Sequence, residues 1–205
     1  IDARFVGHPL FDELPTPNSP IAKSVLNLKD KRPLVALLPG SRLQEIKRML
    51  PVMQAVAESC PQYRFVLALS SNLEVKDLGE EASTSQHLSI IQHATHDLLR
   101  MADFALVTSG TATLETALLG TPQIVLYKGS AISYAIAKRV IRVQYISLVN
   151  LILDREAVPE RIQKEMNAEQ ITKDLKQMLS NPEQLAKMKA DYQELYVRLG
   201  HIQAS

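Results

Sequence analysis

The sequence predicts an α/β protein: a doubly wound parallel sheet closed by one or two C-terminal helices. Three observations predict it. Short, continuous apolar runs recur along the chain, as strands buried on both faces require. Segments of helical spacing, ~10 to 15 residues long, separate them, which is the pattern of βαβ units with right-handed crossovers. And of 205 residues, 46% are hydrophobic and 22% charged, enough to bury one large core without staples.

The elements follow in order. Pro9, Pro15, Pro17 and Pro20 mark a linker, since proline feeds neither a ladder nor a helix interior. Pro33 opens a strand at 34–38, and Pro39-Gly40 ends it. Residues 41–60 have helical spacing. Ser41 and Gln44 fit a capping box, and Pro51 predicts a kink or the first turn of a second helix. Further strands are predicted at 65–69, 88–91, 104–107 and 122–126. Between them lie a short helix at 96–101 and a helix at 111–119 stopped by Gly120. Residues 130–142 read as an apolar and basic helix, and 145–148 as a short sixth strand. The tail, 154–179 and 182–199, reads as two polar helical stretches.

Composition excludes several classes. Lys and Arg total 23 against 22 Asp and Glu, a formal net charge of +1, so a nucleic-acid partner is not expected. One cysteine, Cys60, excludes an internal disulfide and Cys-rich zinc sites, and fits a reducing compartment. No run reaches ~18 uncharged apolar residues, so no transmembrane helix is predicted. Signal-peptide features are missing. The chain opens at Ile1, and the expectation is a fragment of a longer protein.

Ligands of open α/β sheets bind beyond the C-terminal strand ends, and two loops there are unusual. In Leu38-Pro39-Gly40-Ser41-Arg42, Gly40 permits close backbone approach. Arg42 stands at a helix start, against the dipole, which points to a nearby anion such as phosphate. A plain turn with a solvated arginine is the competing reading. In Thr108-Ser109-Gly110-Thr111-Ala112-Thr113-Leu114-Glu115, small residues expose backbone N–H groups that suit a diphosphate. Glu115, placed in the first helical turn, suits a ribose diol. Alternatively Ser109 or Thr111 caps the helix and Glu115 complements its dipole. Together the loops favour a nucleotide diphosphate. Neither is a Walker A loop or a G-x-G-x-x-G fingerprint.

Asn150 lies in an apolar run and must be hydrogen-bonded, to ligand or to backbone. Lys138, Arg139 and Arg142 give the 130–142 segment either an anionic-membrane face or a solvated edge on a core helix. His93 and His96 lack a third ligand, so no metal site is expected. No Ser-His-Asp arrangement is legible.

Five motifs recur in one order: Phe5-Val6-Gly7-His8-Pro9-Leu10; Leu37 to Arg42 followed by Glu45-Ile46; Thr108 to Glu115; Ala137-Lys138-Arg139; and Ser147-Leu148-Val149-Asn150-Leu151. The set resembles the C-terminal half of the lipid-A-disaccharide synthase family, inverting glycosyltransferases of the GT-B type with two Rossmann-like domains. Val149 departs from the proline expected before the asparagine. The resemblance implies a Rossmann-like donor-binding domain at 33–205, with 1–32 as interdomain linker and remnant of an N-terminal domain. It implies transfer from UDP-2,3-diacylglucosamine to 2,3-diacylglucosamine 1-phosphate, giving the lipid A disaccharide 1-phosphate and UDP, with no cofactor or metal. Arg42 would be the catalytic contact to diphosphate and donor sugar. Gly40 and Ser41 would bind the donor beside it, Ser109, Gly110 and Thr111 would line the phosphates, Glu115 would hold the ribose, and Asn150 would serve the donor site. The general base would belong to the N-terminal half, so this chain alone is expected to bind donor without turning it over. The family further implies a cytoplasmic enzyme, peripheral on the anionic inner-membrane surface, and a possible homodimer. A non-catalytic UDP-sugar module, a UDP-N-acetylglucosamine 2-epimerase and a peptidoglycan-precursor transferase are the rival readings.

Overall fold

The computed structural model describes residues 30–78, 87–129 and 144–200. Six strands form one sheet in the order β3-β2-β1-β4-β5-β6, and every pairing is parallel. The strands are β1 Leu34–Leu38, β2 Arg64–Leu69, β3 Leu88–Gln92, β4 Phe104–Thr108, β5 Gln123–Tyr127 and β6 Glu160–Ile162. The helices are α1 Leu43–Ser59, α2 Thr95–Met101, α3 Thr111–Leu118, α4 Leu148–Leu153, α5 Ala168–Leu179 and α6 Pro182–Arg198.

Alternation along β1 explains its unbroken apolar run. Val35 and Leu37 enter one core with Ile46, Met49 and Met53 of α1 and Ile171 and Leu175 of α5. Leu34, Ala36 and Leu38 enter the opposite core with Leu98 and Leu99 of α2. Successive side chains point to opposite faces, so a strand covered on both must be apolar throughout. Truncating a fully buried residue here, as in Leu37→Ala, is expected to cost about 2–5 kcal/mol.

Three predictions need correction. Pro51 does not open a second helix: it lies inside a single helix that runs from Leu43 to Ser59. The carbonyl that proline leaves unpaired belongs to Lys47, and both residues are exposed to solvent, while Ile46, Met49, Leu50 and Met53 keep the buried stripe. Residues 145–148 are not a strand. Glu160 takes the N–H groups of Ile146 and Ser147, each at 2.9 Å, and Ser147 caps α4 by accepting from Asn150 N. The sixth strand is instead β6, an edge strand of three half-buried residues. With Asn167 capping α5, it also divides the stretch predicted as one helix at 154–179. The predicted basic helix at 130–142 lies outside the described residues.

Candidate functional site

The strand order reverses at β1: one crossover leads outward to β2 and β3, the later one back past β1 to β4. Loops diverge at such a switch point and leave a crevice between them. Here the crevice is a cleft of about 670 Å³ between the turns that follow β1 and β4, with the β3–α2 turn on its third side. Leu38, Ala68 and Ala94 contribute apolar lining, and Arg42, Glu45, His93, His96, Asp97 and Glu115 the ionisable side chains around it.

The β1 turn is shaped by one glycine. Gly40 has φ +109°, and a Cβ there would stand 2.6 Å from Glu45 Oε2 and 3.1 Å from Glu45 Cβ. Only glycine lets the Glu45 side chain fold back over the turn. That carboxylate, through Oε1, accepts from Arg42 Nη1 at 3.1 Å. The Arg42 side chain remains 82% exposed, so the guanidinium is aimed without being consumed. The predicted capping box is not formed. The N-cap residue is Arg42, with extended backbone and no side-chain cap. Ser41 lines the cleft, and its carbonyl accepts from Asn72 Nδ2 at 3.0 Å, which ties the turn to the loop after β2.

The β4 turn works differently. Gly110 is the N-cap of α3, and no side chain caps the helix. Among the described residues nothing lies within 4 Å of where a Gly110 Cβ would stand. The glycine therefore relieves no internal crowding; it leaves the cleft floor open above the first amides of α3, which suits an anion. Neither hydroxyl predicted as an alternative cap serves as one. Ser109 Oγ donates to Ile146 O at 3.0 Å, and the N-cap carbonyl, Gly110 O, accepts from Thr113 Oγ1 at 2.8 Å. Beneath the turn Thr108 is 5% exposed, and among the described residues its Oγ1 has no hydrogen-bond partner, which leaves it free to donate toward the cleft it lines.

Glu115 sits one turn deeper than expected, since the first turn of α3 carries no acid. Its Oε2 lies 3.0 Å from His96 Nε2. Glu115 and Arg42 thus stand on different walls of one cleft. The structure gathers Gly40, Ser41, Arg42, Ser109, Gly110, Thr111 and Glu115 around this space.

Asn150 is not among them. It is fully buried, and its side chain is spent on protein. Nδ2 donates to Val158 O and to Glu160 Oε1, both at 2.8 Å, while Oδ1 accepts from Ala157 N at 2.8 Å and Val158 N at 2.9 Å. Of the two readings left open for it, the backbone one describes its contacts.

Sequence reasoning weighed His93 and His96 only as metal ligands and missed them as lining residues. His93 opens the β3–α2 turn at φ 57°, a left-handed conformation uncommon for a non-glycine residue and concentrated at functional sites. His96 reaches Glu115 from α2, nineteen positions earlier; no spacing rule could have joined them.

The family described as lipid-A-disaccharide synthetase matches residues 1–205. A lipid-A-disaccharide synthase of Syntrophus aciditrophicus is 38% identical over 98% of this chain and 54% of its own length. One from Neisseria meningitidis serogroup C is 36% identical over 96% of the chain and 54% of its own length. The chain spans about half the length of these curated relatives. Among solved structures, a glycotransferase of kitacinnamycin superposes with TM-score 0.59 at 12% identity, over 84% of this chain and 41% of that one. A UDP-GlcNAc 2-epimerase from Neisseria meningitidis bound to UDP-GlcNAc superposes with TM-score 0.54 at 17% identity, over 87% and 47%. These likenesses show the fold.

Proposed function

The chain belongs to the lipid-A-disaccharide synthetase family, and on that premise we propose that it binds the UDP-sugar donor of an inverting glycosyl transfer. One observation carries the reading: Arg42, from the turn after β1, and Glu115, from the helix that follows the neighbouring strand β4, line a single cleft at the sheet's switch point. A guanidinium on one wall suits the pyrophosphate; a carboxylate on another suits a ribose diol. The Gly110 turn and the first amides of α3 lie between them.

Transfer leaves UDP with new negative charge on its β-phosphate. In this reading Arg42 and the α3 amides stabilise that charge as it develops. Thr108 Oγ1 supplies a further hydrogen bond under the same turn. Ser109 contributes backbone rather than hydroxyl, because its hydroxyl is already committed to Ile146. The acceptor hydroxyl must lose a proton, and in this proposal the base comes from an acceptor-binding part of a longer enzyme. The donor is UDP-2,3-diacylglucosamine, the acceptor 2,3-diacylglucosamine 1-phosphate, and the product the lipid A disaccharide 1-phosphate. Residues 33–205 form the donor domain. The proposed setting is the anionic cytoplasmic face of the inner membrane. Among the described residues no helix is long and apolar enough to cross a membrane.

Calorimetric titration of the chain with UDP and with uridine tests the site. UDP binds with micromolar-range affinity, Arg42→Ala weakens UDP much more than uridine, and Glu115→Ala weakens both. Equal UDP affinity in wild type and Glu115→Ala removes Glu115 from the site. An equal loss for UDP and uridine in Arg42→Ala shows that the guanidinium reads no phosphate.

A further inference from the structure

We propose that His96 is a positioning residue: its ring fixes the Glu115 carboxylate so that the free oxygen meets the ribose diol. The inference rests on the reading of Glu115 as the ribose acceptor, and deepens it. His96 comes from α2 and Glu115 from α3, so the contact spans two elements that border the cleft. The Nε2 to Oε2 distance is 3.0 Å. The side chains are 26% and 23% exposed, neither sealed in the core nor loose in solvent. Among the described residues Glu115 Oε1 takes no hydrogen bond, so one oxygen is held and the other is left to accept.

The physical gain is preorganisation. A glutamate has three side-chain torsions, and freezing them on binding costs affinity. A carboxylate already pinned by an imidazole from the next helix has lost most of that freedom before the ligand arrives. Among the described residues the two nearby arginines have carboxylate partners of their own: Arg100, on the same helix as His96, lies 3.6 Å from Asp97, and Arg42 pairs with Glu45. The ring acts through Glu115, so its effect must follow the nucleoside and spare the phosphates.

The test is a set of titrations of the whole chain with UDP, uridine and inorganic pyrophosphate. His96→Ala weakens UDP and uridine alike by about five- to tenfold, the scale of one hydrogen bond, and leaves pyrophosphate unchanged. His96→Gln, whose amide reaches as far as Nε2, restores the affinity. In a Glu115→Ala background, His96→Ala has no further effect. The proposal is overturned if His96→Ala keeps full UDP affinity while Glu115→Ala loses it. It is also overturned if His96→Ala weakens pyrophosphate as much as UDP, because the pair is then only a tie between helices. UDP affinity unchanged in Glu115→Ala defeats the ribose reading itself, a result distinct from the other two.

Discussion

Two polar clusters sit in this fold, and they are built in opposite ways. Around Asn150 and Glu160 every polar atom of the amide is paired with protein, and the asparagine is fully buried. Around Arg42, Thr108 and Glu115 the pairing among the described residues is unfinished: a guanidinium 82% exposed, a buried hydroxyl without a partner, a carboxylate held by one oxygen. A buried polar group must find a partner somewhere. Where the protein supplies every partner, the cluster braces the fold. Where it withholds some, the cluster is available for a ligand. Residue type alone does not separate the two cases.

The comparison can be broken or sharpened by substitution. The largest effect is expected from Asn150→Ala, which strands two backbone amides, a carbonyl and the Glu160 carboxylate. Denaturant unfolding should show a loss of about 3–4 kcal/mol, with UDP affinity of the folded fraction unchanged. A normally stable Asn150→Ala protein that no longer binds UDP would erase the distinction. Next comes Glu115→Ala, for which calorimetry should show UDP binding weakened by about 1.5–3 kcal/mol, the scale of a charged hydrogen-bonding group, with little change in unfolding. The two glycines then divide along the same line. Gly40→Ala should lower stability by about 1–2 kcal/mol, because a positive φ and the Glu45 side chain both oppose a methyl. Gly110→Ala should change unfolding by no more than about 1 kcal/mol yet weaken UDP, because its methyl enters open cleft. The smallest effect concerns Cys60, fully buried against α1. Burial pushes its thiol up from the ordinary range, so a thiol reagent at neutral pH should label it only after unfolding. Rapid labelling of the native chain would show that the core opens.

Much of this was legible beforehand, for identifiable reasons. Strands β1, β2 and β4 announce themselves because burial on two faces keeps their runs almost wholly apolar, and β3 and β5 keep enough of that signal despite exposed Ser89 and buried Gln123. β6 does not: Glu160, Arg161 and Ile162 are half-buried at a sheet edge, and three residues carry no periodicity. Residues 145–148 imitate a strand in composition, but Glu160 and the Ser147 cap claim the amides that a ladder needs. Arg42 and Gly110 are legible because turn chemistry is local. His96 is not, since its meaning lies in Glu115, on another helix. Asn150 is half legible. The apolar run says that it must bond, while only the fold says to what.

The insertion of β4 beside β1 has a consequence for how the molecule matures. Leu34 N donates to Asp103 Oδ2, and Leu34 O accepts from Asp103 N, so the closure joins segments 69 positions apart. Contacts this distant in sequence form late and slowly. Until they form, Arg42 and Glu115 belong to separate stretches of polymer and share no cavity. The nucleotide proposed for this cleft would therefore meet its site only in finished copies. By mass action it would draw the population toward them, so that occupancy of the cleft reports whether the chain has completed its folding.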